Sequence, residues 1–270
     1  MIKLSCVIIT FNEEKNIGAC IKSVQHVVDE IIVVDSFSND NTVGIAQSLG
    51  AKVFYKRFNG FGEQKAYAVD QASHDWILSV DADEVLSTEL QTSILEVKQH
   101  PVFDGYDMSI LTNYCGKWIK HCGWYPKHKL RLLDKTKGHI NLNKVHEGFE
   151  MNATNSPIGL LKGDLLHYSY KTISEHSRKI QLYTELAAKT MAEKGASIPL
   201  IKIILGPKWT FFYLYIIRLG FLDGYWGYVL CKNISYESFI KYTKIRLYTK
   251  QYKLEQNQIG DFLRPSSLSN

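Results

Sequence analysis

The sequence predicts an α/β fold: a mostly parallel sheet with helices on both faces, continued by a helical extension. Three observations predict it. The first hundred residues alternate short apolar runs with segments of helical periodicity, and from Ser174 onward only the helical period remains. At 270 residues, with 45% hydrophobic and 22% charged, the chain can bury a real core as one large domain or a domain with an extension. It is neither disordered nor fibrous.

Taken in order, "LSCVIIT", "EIIVVDS", "AKVFYK" and "DWILSVDA" read as buried strands. Between them, "NEEKNIGACIKSVQ", "NDNTVGIAQSLG" and "GEQKAYAVDQAS" carry apolar residues at helical spacing after a polar or glycine start. A fourth helix is expected at "STELQTSILEVKQH", where Thr88 and Gln91 have capping-box spacing. In the usual order 3-2-1-4, strands 1 and 4 flank the point where strand order reverses, and ligands bind there, off the carboxyl ends.

Residues 101 to 170 are less regular, with β-like pieces ("YDMSIL", "KLRLL", "HEGFEM", "LLHYSY") and a Trp/Tyr/His-rich loop, "GKWIKHCGWYPKHK". A mixed extension of the sheet is expected. Then come the helical "SEHSRKIQLYTELAAKTMAEKG", an aromatic segment from 198 to 231, a basic helix from about 235 to 255, and a loose tail from 259.

The formal charge of +5 is unevenly placed: from Leu200 to Glu255 there are nine Lys or Arg against three acids. An anionic partner such as a membrane surface or phosphorylated glycolipid fits that segment. No helix-turn-helix, zinc-finger or RNA-binding aromatic signature is present, so no nucleic-acid partner is expected. The five cysteines have no framework spacing, and Cys115 with Cys122 reads as incidental thiols rather than half of a zinc site. "MIKLSCVIITFNEE" lacks a basic n-region, a long apolar core and a cleavage site, which points to a cytoplasmic protein.

The stretch "WILSVDADEVL" drives a buried strand into three carboxylates, Asp81, Asp83 and Glu84. Such crowding needs a counter-charge. Asp81 and Asp83 fall on the same side of an extended backbone, and converging carboxylates suit Mg2+ or Mn2+ completed by substrate phosphates and water. Asp35 ends the second strand, where an acid accepts hydrogen bonds from a ribose or base, or caps the next turn.

Together, "VIITFNEEKNI", "VVDSFSNDNT", "FNGFGEQKAYAV" and "ILSVDADEVL" resemble family 2 glycosyltransferases of the GT-A fold, a Rossmann-like mostly parallel sheet with helices on both faces. Within the family the sequence is most similar to the bacterial lipopolysaccharide-core β-glucosyltransferases, and "KLRLL", "NKVHEGF", "LLHYSY" and "RLGFLDG" carry the likeness to about residue 225. The resemblance implies a catalytic domain over 1–172, with a nucleotide-sugar half to residue 100 and an acceptor half beyond it, then a helical, aromatic and basic extension over 173–258. It implies a UDP-sugar donor, with Thr10, Asn12 and Glu13 lining the base and ribose pocket and Asp35 on the uracil or ribose. Gln64 and Lys65 lie near the nucleotide, Ala82 lines its pocket, Asp81 faces the ribose or a metal-bound water, and Asp83 is the principal metal ligand. Ala66 stands where relatives often have Asn.

An inverting transfer needs a group to take the acceptor hydroxyl's proton. In "VHEGF" Glu147 is the expected base, with His146 as the alternative or as a residue that positions the acceptor. His167 closes the metal or diphosphate site, or is a satisfied core histidine. Arg131 binds phosphate on donor or acceptor, or is an exposed structural arginine.

The expected reaction moves a hexose, glucose foremost, from UDP to a lipopolysaccharide-core or related glycolipid. Transfer to a polyprenyl phosphate or a protein, or nucleotide-sugar binding without catalysis, are the competing readings. The segment "WTFFYLYIIRLGFLDGYWGYVL" has a longest uncharged run of nine residues, Trp209 to Ile217, too short to span a bilayer. It is expected to pack on one face and to attach peripherally to an anionic inner membrane.

Overall fold

The structure is a computed structural model and describes residues 1–141 and 148–262. These fall into two compact units, Met1–Asn113 with Trp124–Ser169, and Tyr114–Gly123 with the chain from Tyr170 onward.

In the first unit β1 (Leu4–Thr10), β2 (Glu30–Asp35), β3 (Lys52–Tyr55) and β4 (Trp76–Asp81) alternate with α1 (Ile17–Val24), α2 (Thr42–Ser48) and α3 (Phe61–Asp70). All four strands are parallel, in the order β3-β2-β1-β4 expected from the sequence. Apolar side chains alternate between two cores. Leu4, Cys6 and Ile8 of β1 pack with α1 and with α4 (Thr88–Gln99), whereas Val7 joins Ile32, Val34 and Ile77 on the α3 side.

Beyond β4 the sheet turns mixed. After a turn at Ala82 and Asp83 comes β5 (Glu84–Leu86), a three-residue strand that the apolar-run reading does not reveal. The remaining strands are β6 (Gly105–Tyr114), β7 (Lys117–Ile119), β8 (His128–Asp134), β9 (Gly138–Asn141), β10 (Gly148–Met151) and β11 (Ile158–Tyr170). The sheet continues from β4 through β8, β6 and β11 to β5, while β9 and β10 form a separate antiparallel pair. Strand β8 runs antiparallel to β4 and β6, and its register against β6 slips at Arg131. Tyr106 pairs with Leu132 and Asp107 with Leu130, so Arg131 is the extra residue of a bulge that re-aims its side chain.

The cap of α4 is Ser87, not Thr88. Its Oγ accepts the amide of Leu90 at 3.2 Å and that of Asp164 at 2.9 Å, which ties the helix start to β11. Gly163 is required there: its φ is +89°, and a Cβ would lie 2.3 Å from the Leu90 nitrogen.

In the second unit α5 (Ile173–Glu193) buries His176, Ile180, Thr184, Ala188 and Ala192, one residue per turn, against α7 (Gly224–Phe262). Between them lie α6 (Leu200–Phe212), a π-helical turn at Tyr213–Ile217 and a 3-10 turn at Gly220–Asp223. Asp223 is buried and accepts the amides of Lys120 (3.1 Å) and His121 (2.8 Å), anchoring the 114–123 excursion.

At the amino ends of the strands, Glu30 ties three strands and a loop together. It accepts hydrogen bonds from Ser5 Oγ (2.7 Å), the Ser73 amide (2.9 Å) and Oγ (2.8 Å), and Lys52 Nζ (2.7 Å). Burial would raise its pKa, but these donors hold it down to about 2. The stability this supplies is present above the ordinary carboxylate range and lost as pH falls through the folded value. Glu30→Gln should therefore cost roughly 2 to 3 kcal/mol in urea unfolding at neutral pH, and the gap to the parent should close between about pH 4.5 and 2. A gap that stays constant with pH would refute this account of Glu30.

Candidate active site

The carboxyl ends of β1, β2 and β4 form one row. Thr10 is in register with Asp35, and Ile9 with Asp81. The strand order reverses at β1, so the row lies at the switch point where α/β sheets bind ligands.

The loops leaving β1 and β2 are laced together. Asn12 adopts a positive φ of 55°, its amide donates to Ser38 Oγ (2.8 Å), and its Oδ1 accepts the Asn39 amide (2.9 Å). The Glu13 amide donates to Thr42 Oγ1 at 2.8 Å. Asp35 is fully buried, accepts the Ser38 amide at 2.7 Å and also bonds Ser38 Oγ, so it braces the loop that carries Asn12. From α3, the buried Gln64 donates to Ser36 Oγ (2.9 Å) and to the Lys56 carbonyl (3.0 Å). Gln64 Oε1 and Thr10 Oγ1 remain buried without a partner. Ser79 Oγ and Arg131 Nε are buried without a partner as well, and buried polar atoms cost free energy unless bonded.

The acids of "WILSVDADEVL" separate into two groups. Asp81 is bracketed by cations, with Lys65 Nζ at 2.7 Å from Oδ1 and Arg131 Nη2 at 2.9 Å from Oδ2. Glu84 is 1% exposed, takes Arg131 Nη2 at 2.7 Å and accepts the Asp81 amide at 2.8 Å. One guanidinium thus serves two carboxylates. Burial alone would raise the Asp81 pKa, but Arg131 and then Lys65 pull it far below the usual carboxylate range. Glu84 shifts the other way: burial raises it, Arg131 opposes and Asp81 adds to the rise. Asp83 points elsewhere and meets His167 of β11, Oδ2 to Nε2, at 3.3 Å. Burial would lower the His167 pKa, but the bond to Asp83 and the neighbouring acids raise it.

Arg131 is therefore a buried structural cation, 3% exposed, and not the exposed arginine that was one expectation; its Nη2 is engaged within the protein. Both oxygens of Asp81 are paired with cations of the protein, Lys65 and Arg131, whereas Asp83 faces His167. Ala82 is buried and belongs to the core cluster that holds Leu4, Cys6 and Ile8 of β1. The expected base and its alternative, Glu147 and His146, lie outside the described residues.

Among the described residues no cluster of three or more His, Cys, Asp or Glu is arranged to hold a metal ion. Asp83 and His167 offer a carboxylate and an imidazole, 24% and 29% exposed, on adjoining elements. A pair of protein ligands fits a hard divalent cation that takes its other positions from phosphate oxygens and water.

A family model described as "Glycosyl transferase family 2" matches residues 5–152. The chain belongs to that family. An uncharacterized glycosyltransferase, RT0209, of Rickettsia typhi is 34% identical over 91% of this chain and 87% of its own length. The lipopolysaccharide core biosynthesis glycosyltransferase LpsC of Rhizobium meliloti is 30% identical over 90% of this chain and 91% of its own. A crystal structure of glucosyl-3-phosphoglycerate synthase from Mycobacterium tuberculosis with Mn2+, UDP and glucosyl-3-phosphoglycerate matches 43% of this chain and 45% of that one, at 24% identity and a TM-score of 0.35. The family assignment makes this chain a glycosyltransferase of GT-A fold, and the row at the switch point is its candidate active site.

Two of the cluster's members take a role that the sequence leaves open. Glu84 heads the short strand "EVL" and is buried, its carboxylate bonded to Arg131 and to the Asp81 amide. Arg131 interrupts the apolar run "LRLL" and is buried against Asp81 and Glu84. Removing one partner of a buried ion pair strands the rest. Arg131→Ala should therefore destabilise the protein by roughly 3 to 5 kcal/mol in urea unfolding, whereas Asp83→Ala should stay within about 0.5 kcal/mol of the parent. Equal stability of the two variants would dissolve the distinction drawn between the acids.

Proposed function

We propose that this family 2 glycosyltransferase is an inverting hexosyltransferase that moves glucose from a UDP-sugar to a lipopolysaccharide-core or related glycolipid acceptor, assisted by Mg2+ or Mn2+ on the cytoplasmic side. One observation carries the reading: Thr10, Asp35, Gln64 and the Asp81–Asp83 turn converge on the carboxyl edge of β1, β2 and β4, with two buried polar atoms left unpartnered there. The likeness to LpsC supports the class of acceptor.

In this reading Asn12, Glu13 and Asp35 hold the β1 and β2 loops in shape around the base and ribose, and Thr10 Oγ1 and Gln64 Oε1 gain the partners they lack. Lys65 and Arg131 compensate Asp81, which keeps the end of β4 compact where an anionic nucleotide must approach. Asp83 and His167 hold the divalent cation, which when bound supplies Lewis-acid neutralisation of the diphosphate. An acceptor hydroxyl attacks the anomeric carbon from the face opposite the UDP oxygen. The C–O bond to UDP breaks as the new one forms, the electron pair leaves with UDP, and the hydroxyl proton passes to Glu147, or to His146 in the alternative assignment.

Turnover of UDP-glucose with and without isolated lipopolysaccharide core, with products read by mass spectrometry, tests the proposal. Asp83→Ala should lower Mn2+-dependent turnover by about 100-fold or more, and full activity would overturn the metal assignment. Glu147→Gln should lower transfer by about 10² to 10⁴ while UDP binding persists. Tight UDP binding with neither hydrolysis nor transfer would favour a nucleotide-sugar-binding protein instead.

A further inference from the structure

An amphipathic helix of a water-soluble domain buries its apolar stripe and shows its polar one. Helix α6 leaves most of its apolar surface outside. It meets α7 through Ile203, Phe211 and a line of small and polar groups: Ile203 clusters with Ile245, Phe211 meets the Tyr228 ring edge-on, a Cβ at Gly206 would lie 2.9 Å from the Tyr242 ring, the Pro207 carbonyl accepts Ser235 Oγ at 2.7 Å, and Thr210 Oγ1 lies 3.4 Å from Ser238 Oγ. Ile203 is its only buried residue. Its other apolar side chains face outward. Ile201, Leu205, Trp209, Phe212 and Ile216 recur every three or four positions along one stripe, with Ile204 beside Leu205, and all six are 43% to 63% exposed. Leu222 of the 3-10 turn and Tyr225 at the start of α7 add to it, 56% and 68% exposed. This surface lies within the aromatic segment of 198 to 231.

The charge around the stripe has one sign. From Leu200 to Tyr236 the cations are Lys202, Lys208, Arg218 and Lys232, and the only acid is Asp223, which is buried and spent on the amides of Lys120 and His121. Lys202, Lys208 and Arg218 are exposed beside the stripe. Lys232 lies 4.5 Å from the Phe211 ring centre and 5.7 Å from that of Tyr228, a cation held at the edge of the aromatic surface.

We propose that the outer stripe of α6 and the turn after it form a docking surface for an anionic lipid bilayer, on which the helix lies in the plane of the interface. Long Lys and Arg stems, Trp and Tyr beside them, and aliphatic groups between are what a headgroup boundary accommodates. Leu200–Ile217 is long and apolar enough to cross a membrane by length and composition, but Lys202 and Lys208 lie within it, which favours the interface over a span. A second copy of the chain fits less well, because a two-fold contact on this stripe would bring its cations against themselves with no acid to pair them. The inference deepens the glycolipid reading above, since it places the enzyme on the surface that presents such an acceptor.

The test is flotation of the full-length chain with vesicles that contain neither glycolipid nor donor, so its outcome is independent of transferase activity. Binding is expected to vesicles of phosphatidylcholine with phosphatidylglycerol, to be weak with phosphatidylcholine alone, and to fall with added salt. Leu205→Glu with Trp209→Glu should weaken it by about 100-fold. Lys202→Gln with Lys208→Gln changes no apolar group and should weaken it about fivefold for each charge removed. Binding that is indifferent to both pairs would overturn the proposal. So would resistance to alkaline extraction, which would make α6 a span, or a stable dimer by light scattering that the Leu205→Glu, Trp209→Glu chain loses while vesicles go unbound. Retained vesicle binding in a chain without transfer would sink the functional reading alone.

Discussion

Moving Arg131, Asp81 and Glu84 out of water is costly, and the end of β4 keeps its shape because they are moved together. A guanidinium presents several donors in one plane, so a single Nη2 reaches both carboxylates while Lys65 covers the remaining Asp81 oxygen. The geometry comes from a bulge. Without the slipped register at Arg131, β8 would alternate uniformly past β4, and nothing would turn this side chain toward the carboxylates. The end of β4 is thus held by its own internal ions, and Asp83 is released from that duty to face His167.

The row of strand ends and the laced loops divide the work between shape and charge. Asp35 and Asn12 spend their polar atoms on Ser38 and Asn39, so they fix backbone, while Thr10 and Gln64 keep atoms in reserve. A loop ordered before ligand arrives loses less freedom on binding. The positive φ of Asn12 is a strain that this lacing tolerates.

The parallel half of the fold was legible because each buried strand is a continuous apolar run and each helix begins on a polar or glycine signal. Thr10, Asp35, Asp81 and Asp83 could be placed because they end such runs. The mixed half was harder: β5, β7 and β9 have three, three and four residues, too few for any period to show. Ser87 and Thr88 both suit the role of helix cap by sequence, and the choice rests on Asp164, 77 residues from Ser87. Arg131 was ambiguous for the same reason. Whether an arginine in an apolar strand is buried depends on an acid elsewhere in the chain, and local pattern carries no record of that distance.

That distance has a consequence for biosynthesis. Arg131 follows Asp81 by 50 residues and Glu84 by 47, so a growing chain displays the acids well before the guanidinium they share is made. Over that interval the β-prone run Trp76 to Val80 is flanked by Asp75 on one side and Asp81, Asp83 and Glu84 on the other, all still hydrated. Charges at the ends of a sticky strand act as gatekeepers against aggregation. The same carboxylates that must later be neutralised keep the unfinished protein soluble until β8 arrives to claim them.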